Sequence, residues 1–182
     1  MPDSPLPNPN RYITTNDANG VALFSTTTPE SLSVSTTLGG SALARLAYTL
    51  SGGATVNLTS ETDLKAYYAS LSPSSNLPPL VRLDGLNVWY VDTPPDSESP
   101  LHRTVSLDFV IQVHGEQVLT LSNGESRIVK PGDITIQRST MHKWHNPSKT
   151  EWSRMMAVMV ACQPVVTENG DVLGEKFESG QA

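Results

Sequence analysis

The stretch LHRTVSLDFVIQVHGE, residues 101–116, alternates two kinds of side chain almost without error. Val105, Leu107, Phe109, Ile111 and Val113 make one row, and Thr104, Ser106, Asp108, Val110 and Gln112 make the other, with His102 just ahead. A period of two predicts a long β-strand over 101–113 whose faces meet different surroundings. Either the even row faces water, as on the wet side of an antiparallel sheet, or it lines a cavity. His102 and Asp108 are separated by an even step, so on a regular strand they leave the same face.

The surroundings of this stretch are strand-like too. Leu86 to Val91, Gln117 to Leu121, Ser126 to Val129, Ile134 to Gln137 and Met155 to Ala161 read as strands. In the SNGE turn, Asn123 and Gly124 are expected to supply positive φ, and Pro131-Gly132-Asp133 makes a second turn. Between Arg11 and Val56 the chain carries short Ser- and Thr-rich strands. One helix is expected over 61–71, where Leu64, Tyr67, Tyr68 and Leu71 fall on one stripe, Ser60 and Asp63 resemble a capping box, and SPSSNLPP ends it. Many short strands with frequent turns predict an all-β sandwich or barrel.

The chain has 182 residues, which suits one domain. Residues 1–10, with four prolines, read as an extended arm that wraps a partner or stays disordered. Residues 11–165 read as the domain with its N-terminal extension, and 166–182 as a polar tail whose structure the sequence leaves open. A net charge of −6, with 18 acidic against 12 basic residues and no basic cluster, argues against nucleic acid as a partner. No apolar run is long enough to span a bilayer. The single cysteine, Cys162, lies in MMAVMVAC and reads as a small buried hydrophobe in a reducing, cytoplasmic setting.

Downstream, His142 in STMHKWHN would share a face with Trp144 and Asn146, while His145 points the other way. Two imidazoles and a carboxylate from two strands are a donor set that divalent first-row metals accept. The spacing alone leaves the choice of face open.

The two stretches resemble the paired motifs of the cupin family. His102, Thr104, Asp108 and Gly115 occupy the places of the first motif, and Pro131, Gly132, Asp133, His142 and Asn146 those of the second. The phrases HRTVSLDF, PGDITIQR, STMHKWHN and EWSRMMAVMV are similar to those of small fungal single-domain cupins of secondary-metabolite pathways, and the likeness covers most of residues 11–163. It implies a cupin-type double-stranded β-helix, a jelly-roll barrel with one or two short helices, in which the even face points inward. It also implies a divalent metal (Fe, Zn, Mn or Ni) held by His102, Asp108 and His142, a small-molecule substrate, and a homodimer; the apolar odd face is then expected to be covered by other strands, the helix or a second subunit.

Thr104 stands where the family has its second motif histidine, and Asp108 where glutamate is commoner, so a protein without metal is the other expectation. On the inward face, Thr104 and Gln112 are expected to hydrogen-bond substrate and Trp144 to form a wall. His114 is expected at an exposed strand end and Arg103 in a surface or interface salt bridge; Arg138 is left open. The resemblance implies an oxidoreductase acting on a polyketide-like or aromatic intermediate. Two alternatives use the same pocket: a non-redox acid–base enzyme (cyclase, dehydratase, decarboxylase or isomerase), in which His142 or His102 is the general base and Asp108 orients it, and a protein that only binds a small ligand.

Overall fold

A computed structural model of the chain describes residues 3–17, 19, 21–52, 56–71 and 77–178. Strands β1 (Thr14–Asn16), β2 (Ala22–Phe24), β3 (Thr36–Leu38) and β4 (Ala42–Ser51) precede a helix, α1 (Thr62–Ser70). Next come β5 (Gly85–Thr93), β6 (His102–Arg103), β7 (Ser106–His114) and β8 (Gln117–Leu121). They are followed by β9 (Ser126–Val129), β10 (Ile134–Arg138), β11 (His142–His145) and β12 (Ser153–Ala161). Three two-residue strands complete the series: β13 (Val165–Val166), β14 (Val172–Leu173) and β15 (Lys176–Phe177).

Two antiparallel sheets carry the fold, one ordered β10-β7-β12-β5-β4-β3 and the other β15-β6-β11-β8-β9. They enclose a common interior, the all-β double-stranded β-helix expected from the alternation and from the paired motifs. The even row of β7 faces inward: Ser106, Asp108, Val110 and Gln112 are all buried. The odd row faces out. Phe109 and Val113 are 37% and 46% exposed, and Ile136, paired with Phe109 across the β7–β10 ladder, is 47% exposed. Among the described residues, none packs over Phe109, Val113 or Ile136 closely enough to bury them.

The long strand over 101–113 is in fact two. Its first part, β6, pairs with β11 in the five-stranded sheet; its second, β7, runs between β10 and β12 in the other. The chain changes sheet at Thr104 and Val105, so His102 and Asp108 share a face because both look into the barrel, not because one pleat carries both.

Other local expectations are corrected. In the β8–β9 turn only Gly124 has positive φ (87°); Asn123 acts through its side chain, whose Oδ1 accepts from the Glu125 amide at 3.0 Å. Helix α1 starts one residue late, behind Ser60 and Glu61 at φ 56° and 53°, with no side-chain cap. Asp63 does not close a capping box, because it accepts the Tyr48 hydroxyl. Leu64 and Tyr67 are buried as predicted, but Tyr68 is 53% exposed. Pro73, expected to help end the helix, lies outside the described residues. Cys162 is half-buried rather than buried. No helix among the described residues is long and apolar enough to cross a membrane.

The N-terminal arm lies on its own barrel. Arg154 Nη1 donates to the Pro7 carbonyl at 2.7 Å, Arg45 Nε to Asn8 Oδ1 at 3.2 Å, and the Leu32 amide to the Pro9 carbonyl at 3.0 Å. The tail is structured as well: β13 and β14 form a hairpin, and β15 adds a strand to the edge of the second sheet beside β6.

Candidate active site

His102 and His142 meet because β6 and β11 pair antiparallel with these two residues directly opposite each other. Their ring centroids are 4.3 Å apart with planes inclined by 48°. Each ring is fixed by its own backbone: His102 Nδ1 lies 2.8 Å from the Pro100 carbonyl oxygen, and His142 Nδ1 2.8 Å from that of Thr140. A carbonyl only accepts, so each Nδ1 carries the proton and each Nε2 the lone pair. Burial disfavours charge on both rings. It lowers the His102 pKa, and together with the neighbouring His102 it brings His142 down to about 4. Both imidazoles are therefore neutral at pH 7.

Asp108 comes from the opposite sheet and is 4% exposed. Burial raises its carboxyl pKa to about 6, and the hydroxyls of Ser106 and Thr104 hold the rise back in part. Its Oδ1 is buried without a hydrogen-bond partner. Thr104 itself accepts from the Ser106 hydroxyl at 2.8 Å.

His102, His142, Asp108 and Thr104 all line one cavity of about 310 Å³. Its other walls are largely apolar and include Leu38, Trp89, Val91, Met155 and Met159. Trp144 is a wall as expected, edge-on to His142 at 6.2 Å between ring centroids. A wall the sequence did not reveal is Phe177, which stacks on His102 with centroids 5.5 Å apart and planes 3° from parallel. It stands in the short polar segment GEKFE, where no periodicity marks it.

Gln112 is buried but does not line the cavity. Its Nε2 donates to the carbonyls of His114 and Gly115 at 2.8 and 3.0 Å, so it holds the β7–β8 turn instead of a substrate. Gly115 has φ 65°, and a Cβ there would stand 3.0 Å from the Trp152 carbonyl oxygen, which explains the glycine at this motif position. Asn146, another motif residue, donates through Nδ2 to the carbonyls of Thr93, Pro94 and Glu151 and ties down the loop before β12. His114 and Arg138 are exposed. His145 is half-buried with Nδ1 unpaired. Arg103 forms no salt bridge among the described residues; its Nε donates to the Gly174 carbonyl at 2.9 Å.

The histidine pair suits a divalent metal ion, since ligating histidines pair one ring nitrogen with a second partner and present the other. The unpartnered Asp108 oxygen in the same cavity is a third donor of suitable chemistry. It is not gathered with the pair, however: among the described residues no group of three His, Cys, Asp or Glu lies together so that it could hold a metal. The donor set fits a metal at its two imidazoles and leaves the carboxylate apart.

No family model matches the chain. Relatives of known name do. The phomopsin biosynthesis cluster protein C' of Diaporthe leptostromiformis is 40% identical over 93% of this chain and 86% of its own length. The oryzines biosynthesis cluster protein J of Aspergillus oryzae is 38% identical over 97% and 96%. The cupin-domain-containing oxidoreductase srdB of Neurospora crassa is 34% identical over 95% and 83%. With the two-sheet barrel and the inward motif residues, this likeness along nearly the whole length places the chain in the family of cupin-domain-containing oxidoreductases of fungal biosynthesis clusters.

Proposed function

We propose that the cavity binds a small, mostly apolar intermediate of aromatic or polyketide-like character, and that His102, His142 and Asp108 form the centre at which it is oxidised or reduced. The observation that carries this reading is the neutral histidine pair, pinned at Nδ1 and set among apolar walls. Few polar groups converging in an apolar hollow is the usual composition of a small-molecule site.

His102 and His142 would hold a divalent ion through Nε2, and when bound that ion supplies Lewis acidity and, as iron, an electron path. The chain's own part is separate from that. Trp144 and the apolar walls exclude water and orient a flat substrate, and the Pro100 and Thr140 carbonyls keep the imidazoles in one tautomer. Asp108, ionised above about pH 6, accepts a proton from the substrate. Thr104 and Ser106 stabilise that carboxylate.

A second reading has a specific observation in its favour. Asp108 stands apart from the histidines, as suits a general base in a reaction that needs no metal. Metal analysis separates the two. Protein purified without a metal-binding tag is expected to carry close to one ion per chain, absent from His102→Ala and His142→Ala. Turnover of aromatic or polyketide-like substrates should drop about 10²- to 10⁴-fold in both variants. Metal-free protein that turns substrate over, with Asp108→Asn inactive, moves the assignment to acid–base chemistry. Unchanged turnover in both variants removes the site.

The reading includes a homodimer, supported by the uncovered apolar row of Phe109, Val113, Ile134 and Ile136 on the outer sheet face. Light scattering should give the mass of two chains, and Phe109→Asp that of one. A single-chain mass for the native protein sinks this part.

A further inference from the structure

The tail that the sequence presents as a polar appendage contributes to the cavity. After β12 the chain makes the β13–β14 hairpin, closed by the Thr167 amide on the Asp171 carbonyl at 2.9 Å, and returns as β15 along the free edge of β6. The register puts Phe177 opposite His102, which is itself opposite His142. Directly opposed residues of antiparallel strands project from the same face. The three rings therefore form one row across β15, β6 and β11, with Phe177 at its outer end.

Two observations give this end residue a role. Phe177 lines the cavity and yet is 54% exposed, so it belongs to the rim, with one side toward the interior and the other toward water. Its plane lies within 3° of the His102 plane in a stacked arrangement, so the phenyl ring covers the face of the imidazole turned away from His142 and closes the row on that side. Its position depends on how the tail is held against β6. The two-residue ladder is flanked by the Glu178 amide on the Leu101 carbonyl and by Arg103 Nε on the Gly174 carbonyl, both at 2.9 Å.

We propose that Phe177 is a specificity-determining residue, the wall that limits how far a planar ligand seated at the His102–His142 pair extends past His102 toward solvent. This rests on the reading of the cavity as a site for flat, mostly apolar molecules. A smaller side chain at 177 opens that end of the cavity, and a larger one shortens it.

The test compares two probes, phenol and 4-phenylphenol, binding to the full-length protein. Binding is followed by quenching of tryptophan fluorescence, since Trp89 and Trp144 both face the cavity. Phe177→Ala is expected to improve the affinity for 4-phenylphenol relative to phenol about three- to tenfold, and Phe177→Trp to worsen it by a similar factor, the scale of one aromatic contact. Opposite shifts from opposite changes in size are not produced by a merely structural role. Phe177→Trp keeps the stack on His102, so the test survives if Phe177→Ala fails to fold. A ratio of affinities that stays within twofold of native in the folded variants overturns the proposal. So does a native protein that binds neither probe. Probe binding asks nothing of turnover, so His102→Ala and His142→Ala judge the catalytic reading independently.

Discussion

Asp92 on β5 and Asp108 on β7 are acids of one sheet, both shut away from water, and their surroundings treat them in opposite ways. Asp92 accepts from Arg45 Nη1 at 2.7 Å and from Arg154 Nε and Nη2 at 2.6 and 2.7 Å. Burial acts to raise its pKa, but the hydrogen bonds and charge of Arg154, with the charge of Arg45, overcome this and hold it below the usual carboxylate range. Asp108 has only neutral hydroxyls beside it and one oxygen with no partner, so burial prevails and its pKa rises to about 6. The difference teaches that burial by itself marks nothing. A buried acid whose lone pairs are taken up by guanidinium groups fastens the fold, and one left unsatisfied in a cavity is available for chemistry.

The comparison can be broken first at Asp92. Asp92→Ala leaves two buried guanidinium groups without their counter-charge, and a loss of about 3–5 kcal/mol in urea denaturation is expected. A loss below about 1 kcal/mol would mean that the cluster does not fasten the barrel. A smaller effect, of opposite sign, sharpens the contrast. Below about pH 3.8 the Asp108 carboxyl is protonated in both folded and unfolded chains. Between there and about pH 6 the unfolded chain ionises first, so the native state loses stability, and above pH 6 the whole cost is present. Asp108→Asn should therefore be about 1–3 kcal/mol more stable than native at pH 7–8, with the gain vanishing below pH 4, while turnover falls. An Asp108→Asn protein destabilised at pH 8 would show that the carboxylate has a partner there.

What the sequence made legible is what local pattern controls. β8 and β9 fall where predicted, because a glycine turn separates two short β-rich runs, and the inward row of β7 follows from strict alternation together with the motif resemblance. The sheet change at Thr104 was hidden, since a bend between two ladders leaves a period of two intact. Gln112 lies on the predicted face, but its amide is captured by carbonyls of the β7–β8 turn, which alternation cannot foresee. Phe177 lacked any periodic context. The Asp92 cluster did leave a sign: Arg45 in LARLAY, Asp92 in YVDT and Arg154 in SRMMAV are charges inside apolar strands, and such charges stay buried only when paired. Their partners are 47 and 62 residues apart, so the sign gave their existence but not their pairing.

Because the chain crosses from one sheet to the other between His102 and Asp108, the spacing between imidazole and carboxylate depends on how the two sheets pack. A molecule that fills the hollow acts on that spacing directly, and lengthening the two-residue crossover would alter it while leaving every ladder hydrogen bond in place.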